Sequence, residues 1–157
     1  MHDDYMSVIR VTKEFTFEAA HALYNYDGQC SNIHGHSYRL FVTVKGSPVC
    51  DINHPKNGMV MDFSCLKEIV NRHVIEPLDH SLMVYNLSPQ AEIRTSLAGK
   101  GVGMKIVECP YPPTCEMLLS DLAVKIKASL PEGVELHRLR LHETATSYAE
   151  WCASDNE

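Results

Sequence analysis

Four metal-type donors fall in a short span. They are Cys30, His34 and His36, in the run Cys30–x–x–x–His34–Gly35–His36, with His21 thirteen positions before His34. Two histidines at i and i+2 point to the same face of an extended strand, so both imidazoles can reach one ion. His21 follows Phe15, Phe17 and Ala19 on one parity of a β-prone stretch, Val8 to Ala20. If that stretch pairs with the strand beginning near His36, a third nitrogen arrives. Three neutral imidazoles with one open position make a catalytic zinc site, because the open position takes water or substrate. Two other readings stand beside this one. A His-x-His pair on its own is more often structural than metal-binding. Cys30 as a fourth ligand would close a Cys-His-His-His structural zinc site. Spacing does not choose among them.

The elements that must hold these groups follow from pattern and punctuation. Ser37 to Gly46 reads as a second strand, with Leu40, Val42 and Val44 on one face and Arg39, Phe41, Thr43 and Lys45 on the other. Leu23 to Gln29 is a loop by its Asn, Asp and Gly content, and Ser47 to Gly58 is a connection. Asp62 can cap a helix running to about Glu76, ended by Pro77. Phe63, Leu66, Ile69, Val70, His73 and Val74 share one face of it, and His73 reads as a hydrogen-bonded stripe edge. Gly99, Gly101 and Gly103 lack the Lys-Ser/Thr ending of a phosphate loop and read as a flexible hairpin turn. Lys105 to Glu108 is a short strand. Thr114 caps a second helix, with Glu116 in its first turn and Leu118, Leu119, Leu122, Ile126 and Leu130 as its apolar stripe. Val134 to Glu143 and Ser147 to Cys152 are the last strands, and Leu139 and Leu141 share the parity of Glu143. Segregated helices and antiparallel strands predict an α+β fold.

Composition removes several function classes. A length of 157 residues suits one domain, 1–157. A net charge of −6 provides no broad basic surface for nucleic acid or anionic lipid. No apolar run approaches the length of a membrane span. The acidic start, Met1 to Tyr5, has no apolar signal core. The six cysteines form no CxxC pair, which predicts free thiols in a reducing, cytoplasmic setting. Cys50, Cys65, Cys109, Cys115 and Cys152 read as ordinary thiols. His2, His54, His137 and His142 read as surface or structural.

Six ordered motifs narrow the reading. They are Phe17 to His21, Cys30 to Tyr38 around the histidine pair, Gly58 to Phe63, Leu78-Asp79-His80, Pro113-Thr114-x-Glu116, and Glu143-Thr144. Together they resemble the 6-pyruvoyl-tetrahydropterin synthase family, over nearly the whole chain. The short Cys-x3-His-Gly-His spacing is most similar to the family's bacterial branch, the 6-carboxy-5,6,7,8-tetrahydropterin synthases. The resemblance implies the tunnelling fold: an antiparallel sheet with two helices packed on one face, oligomerising into a barrel. It implies a homohexamer, a dimer of trimers, with active sites at subunit interfaces. The chain departs from the family pattern after Leu78-Asp79-His80 and in a longer segment from Asn86 to Cys109.

By the same resemblance His21, His34 and His36 match the ligands of one Zn2+ per subunit, and Cys30 matches the general base. Asp79 and His80 match a proton-transfer pair. Glu143 matches the pterin anchor, counted with the charge relay, and Thr114 and Glu116 match a motif near the pterin pocket. The implied substrate is 7,8-dihydroneopterin triphosphate. Its conversion would release triphosphate and acetaldehyde and feed queuosine (7-deazaguanine) synthesis. Thiols beside a cation are readily ionised, and a carboxylate beside an imidazole can fix its tautomer. Neighbours in an extended segment point apart, however, which leaves the Asp79–His80 contact open. A carboxylate at Glu143 suits a ring N–H and exocyclic amine bidentately. Each role has a plainer rival: Asp79 as a turn residue, Glu143 as a solvated strand end, Thr114 as a cap alone. The triphosphate contacts are unranked among Arg39, Arg94, Lys100 and Lys105. The competing functions are a pyruvoyl-type synthase without side-chain cleavage and a non-catalytic zinc module.

Overall fold

The computed structural model describes residues 7–157. The acidic stretch Met1–Tyr5, with His2, lies outside the described residues. Strand β1 (Ile9–His21) pairs antiparallel with β2 (His34–Gly46) over thirteen residues. Alternation drives this: Phe15, Phe17, Ala19 and His21 are buried while Glu14, Thr16 and Glu18 are exposed. The register sets Phe17 opposite Tyr38, Ala19 opposite His36 and His21 opposite His34. The rings of Phe17 and Tyr38 stack with centroids 4.9 Å apart beneath the histidines. Strand β5 (Val134–His142) joins the other side of β2, and β6 (Tyr148–Cys152) completes that edge. A bulge on β5 falls at His137, between the pairs Thr43–Arg138 and Val44–Leu136. It lets Leu136, Leu139 and Leu141 all face inward despite their unequal spacing.

The sheet is mixed rather than antiparallel throughout. Its order is β4-β3-β1-β2-β5-β6, and β3 (Ser81–Tyr85) and β4 (Ile106–Cys109) run parallel to β1 and to each other. Both enter after helical segments, and a strand that returns through a helical crossover comes back parallel. Helix α1 (Phe63–Val70) begins at Asp62, whose carboxylate accepts from the Ser64 backbone N–H. It runs into a π-helical stretch, Asn71–Ile75, and then a last turn α2 (Glu76–Leu78). Pro77 therefore lies within the final turn and does not end the helix. The Asp79 N–H closes that turn by donating to the Ile75 carbonyl at 2.9 Å. His73 donates to or accepts from Ser129 Oγ at 2.8 Å, at the edge of the stripe.

A short helix α3 (Glu92–Leu97) occupies the connection between β3 and β4. The turn at Gly99 and Gly101, both at positive φ, links α3 to β4 and is not a hairpin, because β3 and β4 are parallel. Helix α4 (Cys115–Ser129) starts at Thr114, whose hydroxyl accepts from the Met117 N–H. Its residues Leu118, Leu119, Leu122 and Ile126 pack with Leu66, Val70 and Val74 against Leu40, Val42, Leu139 and Leu141 of the sheet. One core thus lies between the helices and one sheet face. Among the described residues no helix is long and apolar enough to cross a membrane.

Candidate active site

The core-facing parity of β1 and β2 ends in three imidazoles. His21, His34 and His36 hold one donor nitrogen each within 4.8 Å of the others. His21 Nδ1 lies 2.7 Å from the Pro113 carbonyl oxygen, and His34 Nδ1 lies 2.8 Å from the Asn32 carbonyl oxygen. A carbonyl only accepts, so in each ring Nδ1 carries the proton and neutral Nε2 carries a lone pair. Those two Nε2 atoms face each other at 3.0 Å. Two lone pairs so close repel unless a metal cation or a shared proton lies between them. His36 Nε2 is buried with no hydrogen-bond partner among the described residues. The donor set therefore fits a divalent cation that prefers imidazole, with outer carbonyls fixing two of its rings. Burial also pushes the His21 and His36 imidazoles below their ordinary pKa, which favours the neutral, ligating form.

Glu143 belongs to this cluster. It follows β5 one step beyond the pair Arg39–His142, on the parity of Leu141. Its Oε1 lies 3.5 Å from His21 Nε2 and 3.6 Å from His36 Nε2. Its backbone N–H donates to the Ser147 carbonyl, which closes the β5–β6 turn. A cavity of about 140 Å3 is lined by Glu143, Glu116, Cys115, Ser147, Tyr148 and Ala149. Thr114 is spent as the helix cap, while the adjacent Pro113 carbonyl holds His21. The Cys115 thiol, pushed up to about 11 by burial, donates to the Leu141 carbonyl and is a structural neighbour.

Cys30 sits in a single 3-10 turn, Gln29–Ser31, half-buried, and its thiol is outside the close cluster of three donors. Asp79 and His80 do meet. His80 adopts a left-handed φ of 58°, which swings its ring back to put Nδ1 3.0 Å from Asp79 Oδ1. Asp79 Oδ1 also accepts the Glu18 backbone N–H at 2.9 Å, and this bond first, then His80, holds its carboxyl below the usual range. Lys105 Nζ donates to the Asp79 carbonyl at 2.9 Å.

The pair stands outside the cluster of three imidazoles. His80 is 78% exposed and lines a groove with Glu18, Ala19, Ala20, Gly35, His36, Ser37 and Ser81. The groove thus takes in both parities of β1 and β2 and runs up to the Ala19–His36 pair. Of the candidate phosphate contacts, Arg39 pairs with Glu14 and Arg94 with Glu108, and Lys105 is occupied at Asp79. Sequence reasoning missed the Pro113 and Asn32 carbonyls. The first was signalled by a proline run preceding a helix cap, and the second carried no signal.

Comparison with known proteins agrees with this architecture. The family model described as 6-pyruvoyl tetrahydropterin synthase matches residues 10–153. A 6-carboxy-5,6,7,8-tetrahydropterin synthase of Haemophilus influenzae is 32% identical over 92% of this chain and 99% of its own. One of Synechocystis is 33% identical over 90% of this chain and 91% of its own. Among solved structures, an uncharacterised Wolinella succinogenes protein superposes with a TM-score of 0.76 at 21% identity, covering 94% of this chain and 99% of that one. The Caenorhabditis elegans 6-pyruvoyl tetrahydropterin synthase superposes with a TM-score of 0.66 at 20% identity, covering 95% and 98%. These likenesses carry the fold, and the sequence matches carry the family. The chain is an enzyme of the 6-pyruvoyl tetrahydropterin synthase family.

Proposed function

We propose that this chain converts 7,8-dihydroneopterin triphosphate to 6-carboxy-5,6,7,8-tetrahydropterin, releasing triphosphate and acetaldehyde, in a route to 7-deazaguanines such as queuosine. The observation that carries the reading is the set of His21, His34 and His36 beside Glu143, on a chain whose relatives above bear the 6-carboxy name. Zn2+ held by the three imidazoles would supply a Lewis acid that acidifies a substrate hydroxyl and the adjoining C–H. Cys30 takes the carbon-bound proton as general base. Glu143 accepts hydrogen bonds from the pterin's ring N–H and amine, and Glu116 borders the same cavity. Asp79 fixes the tautomer of His80, which relays protons.

Two observations favour a site shared between copies of the chain. The Asp79–His80 pair stands outside the three-imidazole cluster of its own chain, with His80 78% exposed. The cavity at Glu143, about 140 Å3, falls below the roughly 300–1,000 Å3 of small-molecule sites, so further walls are needed. A homo-oligomer, a hexamer in the family arrangement, supplies both. Free thiols at all six cysteines suit a reducing compartment such as the cytoplasm.

The test is a product assay. Purified protein is given 7,8-dihydroneopterin triphosphate, with and without a chelator, and the pterin mass and acetaldehyde are recorded. Chelator-sensitive carboxypterin with acetaldehyde is the expected result. A pyruvoyl product without acetaldehyde moves the chain to the pyruvoyl-type reaction. Absence of turnover by folded, metal-loaded protein sinks both and leaves a zinc module.

A further inference from the structure

The turn that carries Cys30 is held by its carbonyls. The Gly28 carbonyl accepts from Ser31 through both its N–H and its hydroxyl. The Gln29 carbonyl accepts from Asn32, again through N–H and side chain. The Cys30 carbonyl accepts the Leu23 N–H at 3.0 Å, and the Asn32 carbonyl accepts His34 Nδ1–H at 2.8 Å. Four of five successive carbonyls are thus satisfied within the loop or by the strand that follows it. The fifth is different. The Ser31 carbonyl accepts Gln90 Nε2–H at 3.2 Å, across fifty-nine residues of sequence.

Gln90 lies in the 3-10 turn Pro89–Ala91, at the start of the β3–β4 connection. Its turn is itself pinned, because Ser88 is buried and its hydroxyl donates to the Tyr85 carbonyl at 2.7 Å. Tyr85 ends β3, a strand buried along the sheet, so Gln90 projects from a fixed base. The amide also buries its Oε1 without a partner. A buried amide that leaves one end unsatisfied has a cost, and the side chain tolerates it while holding the Ser31 carbonyl. Without Gln90, the Cys30 turn would be tied only to itself, to Leu23 and to His34.

We propose that Gln90 is a positioning residue for Cys30: the β3–β4 connection straps the Cys30 turn through the Ser31 carbonyl. The role of Cys30 as base rests on the function proposed above; the strap rests on the contact alone. A small displacement of a general base costs rate more than substrate affinity.

The test compares Gln90→Met, which keeps length and removes the donor, with Gln90→Lys, which restores a donor, and with Cys30→Ala. All are assayed as zinc-loaded full-length protein. Zinc content, Tm and the alkylation rate of the Cys30 peptide by iodoacetamide are recorded beside kcat and KM. The expected result for Gln90→Met is a kcat lowered roughly tenfold, with KM within about twofold of wild type. Zinc content and Tm hold, alkylation at Cys30 changes several-fold, and Gln90→Lys recovers part of each change. Unchanged alkylation and kcat overturn the strap. A loss of zinc or Tm in parallel with kcat also overturns it, since Gln90 would then only support the fold. If Cys30→Ala keeps full turnover, the general-base reading fails, and the alkylation rate alone decides the strap.

Discussion

His21 Nε2 faces His34 Nε2 at 3.0 Å while both rings spend their Nδ1 protons on main-chain carbonyls. Two neutral Nε2 atoms at that distance repel, and a metal cation held between the rings removes the repulsion. His34→Ala should therefore lower zinc affinity by at least ~100-fold. Competition with a chromophoric chelator measures it. Substituting Co2+ into the wild type should give the intense visible bands of a four-coordinate site. Unaltered zinc affinity in His34→Ala would exclude His34 as a ligand.

Glu143 stands within 3.6 Å of two of those imidazoles and also borders the adjoining cavity. Glu143→Gln keeps the shape and removes the charge. A charge-assisted hydrogen bond contributes about 1.5–3 kcal/mol, so kcat/KM should fall roughly 10- to 100-fold. Zinc content should stay at the wild-type level, because Glu143 neighbours the ligands without replacing one. Steady-state kinetics and metal analysis on the same preparation decide it.

Legibility followed local pattern. The parity of Phe15, Phe17, Ala19 and His21 is written in β1, and it aimed His21 correctly across from His34. The parity of Glu143 was legible through Leu139 and Leu141, while its role rests on the family resemblance. Strand β3 was not. Ser81, Leu82, Met83 and Val84 are all buried, so the strand lacks alternation and follows a helix with no break. Extended neighbours diverge, so the sequence alone does not bring Asp79 to His80. The left-handed φ of His80 reverses that, and no residue type near it announces the turn. Gln90 was invisible because its partner is a backbone carbonyl far away in sequence.

Asp79 gives a pH dependence with a definite sign. Its folded pKa lies below the ordinary carboxylate value, chiefly through the Glu18 N–H. A depressed carboxylate contributes stability that is fully present above the unfolded value, near pH 4, and lost as pH falls through the folded value. Asp79→Asn should therefore lower Tm at pH 7, and the gap to wild type should close below about pH 4. Thermal melts from pH 7 to pH 3 check this. A gap that stays constant across the range rules out the ionised carboxylate as the source.

The Asp79–His80 pair stands outside the cluster of three imidazoles, and His80 is 78% exposed on its own chain. In a shared site, Cys30 and His80 come from different copies. Cys30→Ala and His80→Ala should each be inactive alone. When the two proteins are mixed and allowed to exchange subunits, some sites combine an intact Cys30 from one copy with an intact His80 from the other. Random assortment restores about one quarter of the wild-type activity. Both parents must fold and hold zinc, which metal analysis establishes beforehand. Recovery towards that fraction assigns the two residues to different subunits. Activity that stays at the parental level after verified exchange assigns them to the same chain and overturns the shared site.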